Sequence, residues 1–150
     1  MMVPKVLIIV GSKSDLEYAE ICRAQLRELR IECELEVSSA HRNPEKTQEL
    51  SATAEERGFE VIIAMAGMSA ALPGVAAAHS NLPVIGVPLP ASLNGLDALM
   101  SVTQMPPGIP VAAVAIGKPG AKNAAVLAAR ILAIKHPDVK SVLKKYRESL

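Results

Sequence analysis

The stretch "KVLIIVGSKSDLEYAEICRAQL", residues 5–26, changes its hydrophobic period once, at Gly11, and that change decides the fold. Residues 5–10 form a continuous apolar run, the pattern of a strand buried on both faces. After the glycine a helix begins at Asp15 and runs to about Arg30, with Leu16, Ala19, Cys22, Leu26 and Leu29 at helical spacing. A two-sided buried strand that passes straight into an amphipathic helix is the repeating unit of a parallel sheet.

The same alternation continues outward. "CELEV" (33–37) reads as a strand nearer an edge, and Pro44 suits the first turn of a helix to Arg57, stopped by Gly58. Strands follow at 60–65, 83–88 and 110–116. Between and after them come a small-residue helix in "GMSAALPGVAAAH", helices in "GLDALMSVTQM" and "AKNAAVLAARILAIKH", and a charged amphipathic helix beyond Pro137. Short connections between alternating strands and helices imply right-handed crossovers. The expected fold is α/β: a doubly wound, parallel five-stranded sheet in one three-layer domain, residues 1–150, closed by an extra C-terminal helix.

Composition narrows the function. Aromatic residues make up only 2% and tryptophan is absent, so Val, Ile, Leu, Ala and Met must build the core. A net charge of +1, with no basic stripe carrying interleaved aromatics, argues against a nucleic-acid surface. The start "VPKVLIIVG" lacks the pattern of a signal peptide, and Cys22 and Cys33 form no metal or redox spacing. A reducing cytoplasm is the expected location. From Val61 to Gly117 the only charged residue is Asp97, yet glycines and prolines break the run. No segment gives the roughly 20 apolar residues of a membrane span. A region so poor in charge is expected to be hidden twice, in the core and then against other subunits.

Ligands in such sheets bind outside the carboxyl ends of the strands. Those ends are "GSKSD" (11–15), "SSAHR" (38–42), "AGMSAALPG" (66–74) and "PLPASLNG" (88–95), all rich in small and polar residues. Ser12 and the backbone amides of the first loop can hold a phosphate. Asp15 can accept from a vicinal diol or merely cap its helix. Ser39 and Arg42 can anchor an oxyanion. His41, beside them, is of the residue type that moves protons near neutrality. The loop from Ala66 and Gly67 lets a flat ring lie against the main chain. Of the other histidines, His79 and His136 read as structural or solvent-facing. No metal site and no Ser–His–Asp set can be assembled.

"GSKSD", "SAHR", "AGMSAALPG" and "QMPPGIPVAAVAIG", in this order, resemble the family of carboxyaminoimidazole ribonucleotide mutases and aminoimidazole ribonucleotide carboxylases of purine biosynthesis, over almost the whole chain. The resemblance implies a flavodoxin-like domain, a homo-octamer and no cofactor, whether metal, ATP or biotin. It implies nucleotide and carbon dioxide as the small-molecule partners. His41 matches the family's proton-transferring histidine, Ser12, Ser39 and Arg42 its phosphate contacts, and Asp15 its ribose contact. Ala66 and Gly67 match the start of the segment that encloses base and carbon dioxide.

The mutase branch moves a carboxylate from the exocyclic nitrogen to carbon four of the imidazole. It usually reads A-G-x-x-x-H-L-P-G, whereas Ala71 occupies the histidine position here, and Ser69 also leans towards the carboxylase branch, which uses free carbon dioxide. Arg42, Pro73 and "QMPPGIPV" lean the other way, although the 88–97 loop is about one residue shorter than in common mutases. The mutase is the expected activity and the carboxylase its alternative. A nucleotide-binding module without catalysis and a flavin carrier are further alternatives, the latter short of aromatic residues for stacking.

Overall fold

Each apolar run becomes a strand and each amphipathic run a helix in the computed structural model, which describes residues 2–150. The strands are β1 (Lys5–Val10), β2 (Glu32–Val37), β3 (Val61–Gly67), β4 (Val84–Leu89) and β5 (Ala112–Ala113). The helices are α1 (Leu16–Glu28), α2 (Pro44–Ala52), α3 (Leu72–His79), α4 (Leu96–Thr103), α5 (Lys118–Leu132) and α6 (Pro137–Glu148). All strand pairs are parallel, in the order β2-β1-β3-β4-β5. This is the flavodoxin-like order, which reverses direction between β1 and β3 and opens a crevice there.

Side-chain alternation along β1 divides the core. Val6, Ile8 and Val10 face Ala19, Cys22 and Leu26 of α1 and the alanines of α5, while Leu7 and Ile9 face the layer of α2, α3 and α4. Each fully buried Val, Leu or Ile contributes about 1.5–3 kcal/mol. Ala121, Ala124, Ala125 and Ala128 are fully buried, and their small size lets α5 lie close against the sheet and α1. On the other face Gly86 does the same for α4, since a Cβ there would stand 2.5 Å from Val102.

Several boundaries differ from expectation, among them the end of α5, which stops at Leu132 and not at His136. The fifth strand, expected over 110–116, pairs only at Ala112–Ala113. The Pro88 carbonyl accepts from the Gly117 amide at 2.9 Å, so Pro88 turns its nitrogen to this side of β4 with no hydrogen to donate. The regular part of α2 stops at Ala52, and turns carry the chain from there to Gly58. Helix α5 begins at Lys118, with Pro119 in its first turn. Within its first turn Gly120 admits no side chain, because the Ala115 carbonyl fills the space a Cβ would need.

Candidate active site

The crevice at the carboxyl edge holds a cavity of about 480 Å³, in the range of small-molecule sites. Four segments form its walls: Gly11, Ser12, Ser14 and Asp15 after β1; Ser39 to Arg42 after β2; Ala66 to Leu72, from the end of β3 to the start of α3; Pro90 and Ala91 after β4. A second cavity of about 500 Å³ lies between α5 and α6, lined by Arg130, Lys140, Lys144, Arg147 and apolar residues. It has no imidazole or carboxylate side chain on its walls, whereas the first has both.

The first wall is shaped by Ser12. Its extended backbone ends the strand, and its Oγ accepts from the Ser14 amide at 3.3 Å and the Ser14 hydroxyl at 3.0 Å, capping a single 3₁₀ turn. The Asp15 amide donates to the Ser12 carbonyl at 3.0 Å. Asp15 was open to reading as a helix cap, but its side chain makes no capping bond to α1. The carboxylate is half-buried on the cavity wall. Burial pushes its carboxyl above the ordinary 3.8, with the Ser12 backbone pulling the other way.

The second wall is a tight turn. The Ser39 hydroxyl accepts from the Arg42 amide at 3.1 Å, and the Ser39 carbonyl accepts from the Asn43 amide at 2.8 Å. Asn43 then caps α2, its Oδ1 accepting from the Lys46 amide at 3.3 Å, and Pro44 fills the first helical position. His41 and Arg42 sit at the exposed tip of this turn, on the cavity.

Ala66 and Gly67 are the last residues of β3, still paired with Pro88 and Leu89, and the loop proper begins at Met68. Met68 (φ 53°) and Ala70 (φ 36°) both occupy the left-handed region without being glycine. Such residues cost on the order of 1 kcal/mol or more each and persist only where the surroundings dictate them. Helix α3 starts immediately afterwards with no side-chain cap, with Leu72 on the cavity and Pro73, which has no amide hydrogen, behind it.

The seven residues singled out from sequence, Ser12, Asp15, Ser39, His41, Arg42, Ala66 and Gly67, all line this one cavity. Ser14, Pro90 and Ala91 line it as well and were not singled out. Ser14 sits one residue from Asp15 in a turn that the periodicity reads as the run-up to α1. Pro90 and Ala91 carry no polar signal. Among the described residues, no group of three or more His, Cys, Asp or Glu could hold a metal ion.

A flavodoxin-like sheet with hydroxyls, a guanidinium, a carboxylate and an imidazole around a cleft at its carboxyl edge defines a small-molecule enzyme of the α/β class. Comparison with known proteins makes the assignment specific: the chain matches the AIR carboxylase family over residues 5–150 and belongs to it. It is 57% identical over 148 residues to an N5-carboxyaminoimidazole ribonucleotide mutase of Pyrococcus abyssi, covering 98% of this chain and 84% of the relative. It is 50% identical to the protein of the same name in Bacillus subtilis, covering 99% and 92%. The crystal structure of Treponema denticola PurE superimposes with a TM-score of 0.86 at 33% identity, covering 97% of this chain and 90% of that one.

Proposed function

We propose that this chain is a 5-(carboxyamino)imidazole ribonucleotide mutase of purine biosynthesis. The observation that carries the reading is the convergence of Ser12, Asp15, Ser39, His41 and Arg42 on one cavity, in a chain 57% identical to a mutase. Ser12, Ser39 and Arg42 hold the nucleotide phosphate by charge-assisted and hydroxyl hydrogen bonds. Asp15 accepts from the ribose hydroxyls. The ring lies against Ala66, Gly67 and the main chain that follows.

In this reading the carboxylate leaves the exocyclic nitrogen as carbon dioxide while His41 donates a proton. Carbon four of the ring then attacks the retained carbon dioxide, and His41 takes the proton that carbon four gives up. The protein's contribution is retention: a molecule held beside the ring is recaptured in an effectively intramolecular step. The carboxylase reading has one specific observation in its favour. The wall at the start of α3 presents Ala71, so His41 is the only imidazole lining the cavity. Assay of the purified protein decides between them. Turnover of carboxyaminoimidazole ribonucleotide without bicarbonate supports the mutase. Turnover only of aminoimidazole ribonucleotide with bicarbonate identifies a carboxylase, and turnover of neither leaves a binding module.

The assembly we propose is a homo-octamer. Its support is the charge-poor middle of the chain, which reaches the surface with Met68, Leu93, Leu96 and Met100 each more than half exposed. Within the same segment the buried Asp97 Oδ1 has no partner among the described residues, as expected of a group completed by another subunit. No described helix is long and apolar enough to cross a membrane. Two free thiols, Cys22 and Cys33, support the cytoplasm as the location. Sedimentation of the purified protein tests the assembly: an octameric mass is expected, and a monomer would overturn it.

A further inference from the structure

The His41 side chain makes no hydrogen bond among the described residues, so its position is set by the turn that carries it. That turn is laced at its neck by two bonds. On the outer side the Lys46 ammonium donates to the Val37 carbonyl at 2.8 Å. On the inner side the Ser38 and Thr47 hydroxyls meet at 2.7 Å, 3% and 0% exposed, below the cavity wall and not part of it.

The protons in the inner bond can be assigned. The Thr47 hydroxyl donates to the Asn43 carbonyl at 3.2 Å, so the single proton of Thr47 is committed and Ser38 must donate to Thr47. The Ser51 hydroxyl in turn donates to the Thr47 carbonyl at 2.8 Å. Ser38 is still tied to the sheet, its amide donating to the Val10 carbonyl at 2.9 Å. A directional chain therefore runs from the end of β1 through Ser38 and Thr47 to Asn43, the cap of α2. It spans the base of the turn that carries Ser39, His41 and Arg42. An apolar pair would fill the same space, but only a hydrogen bond fixes both distance and direction.

We propose that Ser38 and Thr47 are positioning residues that set the reach of His41 into the cavity. The proposal rests on the proton-transfer reading of His41 above. Ser38→Ala is the clean probe, because Thr47 keeps its acceptor in the Asn43 carbonyl and no buried group is orphaned. Thr47→Val keeps the shape and removes the bond, whereas Thr47→Ser keeps the bond and loses a methyl group.

Two readouts are taken well below the unfolding temperature: steady-state kinetics with the imidazole ribonucleotides, and amide hydrogen exchange by NMR. Ser38→Ala and Thr47→Val are expected to lower kcat by about tenfold, with Thr47→Ser within about twofold of the parent protein. The amides of Arg42 and Asn43 should exchange about tenfold faster in the first two variants only, while those of Val6–Val10 keep their protection. Unchanged kcat in Ser38→Ala, equal losses in Thr47→Val and Thr47→Ser, or a uniform rise in exchange across the sheet would overturn the proposal. If the parent protein turns over neither nucleotide, the function reading fails by itself. The exchange pattern alone then decides whether the hydroxyl pair holds the turn.

Discussion

At the amino edge of the sheet Glu34 engages Lys5 and Arg57, and Glu60 engages Lys135 at 3.0 Å and His136 at 2.7 Å. Lys5 and Arg57 also lie over the Phe59 ring, at 4.4 and 5.0 Å. At the carboxyl edge His41, Arg42 and Asp15 have no ionic partner among the described residues. Two residues there, Met68 and Ala70, separated by one position, both carry left-handed backbone. Charges at the first edge join distant parts of the chain, such as Glu60 with the end of α5. Charges at the second converge on a cavity. The lesson is that ion pairs within the chain mark the stabilising end of this sheet, whereas His41, Arg42 and Asp15 stand unpaired among the described residues at the end proposed above to carry the chemistry.

The largest effect expected from breaking this contrast is at His41. His41→Asn should lower turnover by about 10³-fold while thermal unfolding stays put, as calorimetry beside the assay would reveal. Arg42→Ala should raise KM by an amount equivalent to about 2–3 kcal/mol, with a smaller change in kcat. An unchanged KM would remove Arg42 from the phosphate site. Glu60→Gln, at the other edge, should leave kinetics intact and cost about 1–2 kcal/mol in denaturant titration.

The two carboxylates sharpen the contrast because their shifts have opposite sign. Burial raises Glu60, but the bonds from Lys135 and His136 outweigh it and hold the carboxyl below its ordinary 4.5. A depressed carboxyl stabilises the fold above its unfolded value, and that contribution is lost as pH falls below about 4.5. The acid limb of stability should therefore flatten in Glu60→Gln. Asp15 is raised above 3.8, so the folded state holds its proton more tightly than the unfolded chain, and stability falls as pH rises through that range. Asp15→Asn should raise the unfolding temperature at neutral pH by about 1–3 °C while weakening nucleotide binding, the smallest effect of the set. A drop in the unfolding temperature would mean that Asp15 supports the fold.

Much of this was legible in the sequence, and the physical reasons differ by element. The first strand and helix were plain because a two-sided apolar run and a 3.6-residue period cannot be confused over that length. The three layers followed from strands alternating with helices on short connections. The truncation of β5 was not legible, because it depends on Pro88 in a neighbouring strand whose pairing partner is known only once the sheet is built. Within the cavity, glycines, hydroxyls and charged residues at strand ends were readable as chemistry. Pro90 and Ala91 were not, since they contribute shape and nothing polar. The Ser38–Thr47 bond was hidden for another reason: the two residues are nine apart, and only the turn between them brings them together.

The packing of α5 against α1 has a consequence for how the protein is made. Residues 118–132 cover a side of α1 that is synthesised about a hundred residues earlier. At about 5–20 residues per second, that side of α1 stays uncovered for roughly 5–20 seconds of translation. With every strand parallel, no local hairpin can shelter it meanwhile. The nascent chain therefore carries a greasy helix side through most of its synthesis, and chaperones that hold apolar segments have their window there, before the alanine-rich helix arrives.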